Sequence, residues 1–136
     1  MSNEVLQLIN AYRKLSTNNQ ELIQSATNDI IILTSQPTII NSLLEIIDKS
    51  PENAIRKHAS VSLRSVIFNF KEQLPIDEIQ NLFALLLNFL SNEMPEVIQN
   101  IFCDIIFVLL SENTMPILFE FFKESPLDSI KAKLLI

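Results

Sequence analysis

Residues 37–70 read PTIINSLLEIIDKSPENAIRKHASVSLRSVIFNF, and the fold class turns on this stretch. Pro37 suits the first turn of a helix, where its missing N–H costs no hydrogen bond. Behind it Ile39, Ile40, Leu43, Leu44, Ile46 and Ile47 predict a short helix that is apolar nearly all round and ends at Asp48-Lys49-Ser50. Ser50-Pro51 then restarts the chain as N-cap and first-turn proline. The longer helix that follows presents Ile55, Ala59, Leu63, Val66, Ile67 and Phe70 on one side. Lys57, Ser60 and Arg64 stand at three- and four-residue steps on the other, which predicts a basic and polar exposed face.

Upstream, Val5, Leu8, Ile9, Tyr12 and Leu15 form the stripe of a first helix, closed by the polar break Ser16 to Gln20. Asn18 with Glu21 three residues later reads as a capping box, and Leu22, Ile23, Ala26, Ile30 and Leu33 continue as a second stripe to near Gln36. Downstream, Pro75 opens a fifth helix with Ile79, Leu82, Phe83, Leu86 and Leu90, its stripe widened by Leu85, Leu87 and Phe89. Pro95 opens a sixth with Ile98, Ile101, Phe102, Ile105 and Leu109 inward and Gln99, Asn100 and Asp104 outward. Pro116 opens a seventh through Leu118, Phe119 and Phe122, and Ser125-Pro126 with Asp128 an eighth that has no visible end. Alternate starts, Pro37 to Pro75 to Pro116 and Pro51 to Pro95 to Pro126, recur at roughly 40 residues, the period of two-helix HEAT and armadillo units. Stacked pairs bury each helix against the pairs before and after, which accounts for helices apolar on more than one side. The expected fold is therefore all-α, a right-handed superhelix of antiparallel helix pairs, with residues 1–136 forming a single domain of about four pairs, the last truncated.

Composition narrows the function. The 136 residues include no glycine, which argues against β folds with tight turns and against phosphate-cradling loops. Asn18, Asn19, Asn92 and Asn113 fall where helices would stop and are candidates for left-handed caps. A net charge of −6 repels a phosphate backbone, so nucleic acid is not an expected partner and basic proteins are. One cysteine excludes an intrachain disulfide and a cysteine-rich zinc site; Cys103 reads as a small core residue in a reducing compartment. Ile101 to Leu110 and Phe83 to Leu90 are too short and too interrupted to span a bilayer, and MSNEVLQLINAYRKL lacks the pattern of a secretory signal.

At the fourth helix, SPENAIRKHASVSLRSVI resembles the second repeat of the importin-β (karyopherin-β) nuclear transport receptors. Ile55, Arg56 and Ala59 match the apolar-Arg-x-x-Ala segment, and Leu63 and Arg64 the Leu-basic pair that follows. TNNQELIQSATNDIIILTSQPTIINSLLEIIDKS resembles the family's opening, LLNFLSNEMPEVIQNIFCDIIFVLLSE its third repeat, and MPILFEFFKES the first helix of its fourth. Phe102 departs from the family, which has a small residue there. The resemblance implies an N-terminal fragment or truncated relative of a longer receptor. It further implies that the second helices bind the small GTPase Ran in its GTP form, while basic import cargo and nucleoporins engage the longer receptor, in cytoplasm and nucleus.

Candidate partner-binding positions on a concave face are Asn28, Lys57, Arg64, Asn100 and Asp104. Arg56 is read as structural, reaching a loop carbonyl or a carboxylate such as Asp48 or Glu52. His58 has no Ser, Cys or carboxylate at triad or metal spacing and reads as solvated or packed. Asp77-Glu78 and Glu93 with Glu96 sit where a helix N-terminus favours acids anyway. No catalytic residues, metal or cofactor are expected. Two other readings remain: a HEAT or armadillo scaffold or adaptor unrelated to transport, and a small catalytic bundle, for which the motifs are missing.

Overall fold

Proline precedes or enters five of the helices. The computed structural model describes residues 2–124, and within them every regular element is helical: α1 Asn3–Leu15, α2 Gln20–Leu33, α3 Ile40–Lys49, α4 Asn53–Phe70, α5 Ile76–Leu90, α6 Glu96–Leu109 and α7 Met115–Glu124. Pro37–Ile39 is a 3₁₀ turn that leads into α3, and Lys71–Gln73 is a second one behind α4. Pro75 and Pro95 stand at the N-caps of α5 and α6 in extended backbone, each followed by acids in the first turn, where the helix dipole favours them. The expected eighth helix from Ser125-Pro126 lies outside the described residues.

Two compact units divide the chain, Met1–Val66 and Ile67–Ile136. In the first, α1 packs against both α2 and α3. Val5, Leu8, Ala11 and Tyr12 of α1 are buried, as are Ile39, Ile40, Leu43, Leu44, Ile46 and Ile47 around α3, which bears out the short helix apolar nearly all round. In the second, α5 packs against both α6 and α7. Leu82, Phe83, Leu86, Leu87 and Leu90 of α5 are buried there, as are Ile98, Ile101, Phe102, Ile105 and Leu109 of α6, and the rings of Phe89 and Phe102 meet edge to face at 5.8 Å. Cys103 is buried. Thr114, fully buried, ties the turn before α7: its hydroxyl donates to the Leu109 carbonyl at 3.0 Å and accepts from the Ser111 N–H at 2.8 Å.

Several local expectations are corrected. The N-cap of α2 is Asn19, whose Oδ1 accepts from the Glu21 and Leu22 amides at 2.9 and 3.1 Å; Asn18 plays no part in the cap. None of the described residues has a positive φ, so Asn18, Asn19, Asn92 and Asn113 are not left-handed caps. The α1, α2 and α5 ends close instead through Ser16, Thr34 and Ser91, whose own N–H groups bond back to the last turn from ordinary negative-φ backbone. Ser50-Pro51 precedes α4 by one more step than expected, with the Ser50 hydroxyl accepting from the Glu52 amide at 3.3 Å. Ser60 is buried and not on the exposed face: its hydroxyl donates to the Arg56 carbonyl one turn back at 2.8 Å, which removes its need for water. The stripe of α2 is real but thinly covered, since Ala26 alone among its residues is buried.

Candidate protein-binding faces

The candidate positions lie on α2, α4 and α6. Asn28 is exposed on α2, where its Oδ1 accepts from Gln24 Nε2 at 3.3 Å one turn away. Lys57 is exposed and Arg64 half-buried, two turns apart along α4. Asn100 and Asp104 are exposed one turn apart on α6. The structure thus brings together Lys57 with Arg64, and Asn100 with Asp104, by helical spacing.

What the spacing alone did not announce is how much apolar surface shares these helices. On α2, Ile31 and Ile32 are 63% and 70% exposed. On α4, Val61 and Phe68 are 37% and 66% exposed, and on α6 Val97 and Phe107 face water as well. A scattered exposed apolar residue is ordinary, whereas apolar and polar residues repeated along one helix face are what partner helices and peptides use. Between α1 and α2 runs a cleft of about 360 Å³ lined by Gln7, Asn10, Ala11, Lys14, Asp29, Ile32 and Leu33.

The polar interior of the first unit is structural. Arg56 donates from Nε to the Ile47 carbonyl at 2.9 Å and from an η nitrogen to Asn53 Oδ1 at 3.3 Å, so the expected carbonyl contact is made, at Ile47 and not through Asp48 or Glu52. That bond satisfies a carbonyl near the end of α3 and fastens it to α4. The Tyr12 hydroxyl donates to Ser62 Oγ at 2.8 Å, both residues buried, which joins α1 to α4. His58 stacks on the Tyr12 ring with centroids 5.6 Å apart. Burial pushes the Tyr12 hydroxyl up to about 12 from its ordinary 10.0, with the Ser62 hydroxyl pulling the other way. Burial likewise pushes the His58 imidazole below its ordinary 6.5, and the Lys57 charge beside it adds to the effect.

The Tyr12 hydroxyl is already spent on Ser62, and His58 packs on a ring. No cluster of three or more His, Cys, Asp or Glu side chains among the described residues could hold a metal ion. No single described helix is long and apolar enough to cross a membrane; α2 with the segment Pro37–Lys49 reaches that composition only as a pair bent by 105°. Compared with known proteins, the chain matches no family model, no curated protein and no solved structure.

Proposed function

We propose that this chain is a protein-binding scaffold of HEAT-type helix pairs, the end of an importin-β-like receptor that captures the small GTPase Ran in its GTP form. The observation that carries the scaffold reading is the solvent-facing mixture of large apolar and polar side chains on α2, α4 and α6. The order of packing supports the repeat reading: α1 takes α2 on one side and α3 on another, and α5 does the same with α6 and α7. On this reading the scheme continues as the right-handed superhelix of antiparallel pairs that the resemblance implies, each pair contacting only its neighbours. Arg56 supports it further, since the arginine that carries the family resemblance fastens α4 to the carbonyl end of α3. On this reading Asn28, Lys57, Arg64, Asn100 and Asp104 meet the GTPase, basic cargo and nucleoporins engage a longer receptor, and the protein works in cytoplasm and nucleus without catalysis of its own.

Calorimetry with the purified chain and Ran, loaded either with a non-hydrolysable GTP analogue or with GDP, tests the partner. Preferential binding of the GTP form is expected, and Lys57→Glu should weaken it. A folded, helical sample that binds neither form would retire Ran as the partner and leave a protein-binding scaffold unrelated to transport.

A further inference from the structure

In the first unit one aliphatic-rich helix is left thinly covered. α2 carries Leu22, Ile23, Ile30, Ile31, Ile32 and Leu33, yet Ala26 is its one buried residue. Helical spacing sets Leu22, Ser25, Asp29 and Ile32 on one line at steps of three, four and three residues, about 15 Å long at 1.5 Å per residue. All four are exposed, Ile32 to 70%. Lys14 of α1 lines the cleft between the two helices together with Asp29 and Ile32. Among the described residues neither Lys14 nor Asp29 forms an ion pair within the chain.

We propose that this face pairs two copies of the chain about a two-fold axis, α2 against α2, with Lys14 of each copy held to Asp29 of the other. With the axis perpendicular to α2 the paired helices run antiparallel and the line matches itself. Leu22 then falls opposite Ile32 of the second copy and Ser25 opposite its Asp29, so apolar meets apolar twice and no carboxylate faces its twin. A helix of another protein would have to bring one cation and one anion in the reciprocal order, whereas a second copy brings them by symmetry. Charge does not oppose the pairing. Residues 1–66 carry six basic and six acidic side chains, so the −6 of the whole chain lies beyond this unit. A bilayer fits less well, since Asp29 in the middle of the line would enter the apolar layer without a partner. The inference rests on α1 and α2 alone, and Ran binding bears only on the receptor reading.

Sedimentation equilibrium of the full chain, from about 1 to 100 μM, reads the assembly. A dimer that dissociates in the micromolar range is expected, because the face is short, and added salt should loosen it. Lys14→Glu and Asp29→Lys should each raise the dissociation constant about tenfold. The two together should return it to within about threefold of the parent, since the pair is then restored with its signs exchanged. Ile32→Glu should also break the dimer, whereas Ile31→Glu, on another side of α2, leaves it intact. Circular dichroism checks that each variant stays helical. A chain that is monomeric at every concentration, single reversals without effect, a double reversal no tighter than either single, or an equal loss from Ile31→Glu would each overturn the proposal. So would a monomer that floats with phosphatidylcholine vesicles instead of pairing.

Discussion

Tyr12 is the chain's one tyrosine, so its ionisation can be read without interference. Because burial holds its folded value near 12 while the unfolded value is about 10, the native state favours the protonated phenol. Its contribution is complete below pH 10 and is lost as pH rises from 10 toward 12. Absorbance at the tyrosinate band should therefore stay flat past pH 10 in the native protein and titrate near 10 in denaturant. Tyr12→Phe should remove that difference and cost about 1 kcal/mol in urea unfolding through the lost bond to Ser62. The inward position of Tyr12 follows from the spacing of Val5, Leu8 and Ile9, but Ser62 does not, because a buried serine on a helix looks like a solvated one until its partner helix is known. His58 and Arg56 illustrate the same limit. Their types exclude a triad and suggest a carbonyl contact, yet which ring and which carbonyl depend on how α1, α3 and α4 meet.

Among the elements, α2 shows where sequence and structure part. Asn18 and Asn19 are adjacent and equally suited to capping, and the choice between them rests on one residue of register that an isolated pattern cannot resolve. Asn19→Ala should cost about 1 kcal/mol while Asn18→Ala stays within about 0.5 kcal/mol, both by chemical denaturation; the reverse order would place the cap at Asn18. The apolar stripe of α2 was legible, but a stripe states only which face prefers burial and not how much neighbour there is to cover it. By contrast the prolines marked α3, α5, α6 and α7 to within a residue or three, since a missing N–H restricts where the chain can sit in a helix irrespective of tertiary contacts. Ser60 fell on the wrong side of α4 because serine can satisfy itself on the preceding carbonyl and then be buried at little cost.

For the whole molecule, the all-helical class was legible from periodicity and from the missing glycine, whereas the candidate faces were legible only as polar positions. The apolar neighbours that make them faces, Val61 and Phe68 on α4 and Val97 and Phe107 on α6, could not be separated from core residues by type. The turns correct one chain-wide expectation: left-handed asparagines were expected to take over from glycine, and the described residues use no left-handed backbone at all. Asn113→Gly should accordingly destabilise the protein by about 0.4–1 kcal/mol, through added freedom in the unfolded chain; a gain in stability on urea unfolding would indicate backbone strain at that site. Among the described residues the turns all keep negative φ, so this part of the fold is written in an alphabet that never calls on its achiral letter. Loop positions there such as Asn18, exposed and outside the cap, are consequently open to recoding by most chiral residues, whereas Asn19 and Thr114 are held by their own hydrogen bonds, so the former are the natural places to attach a label while the helices hold their spelling.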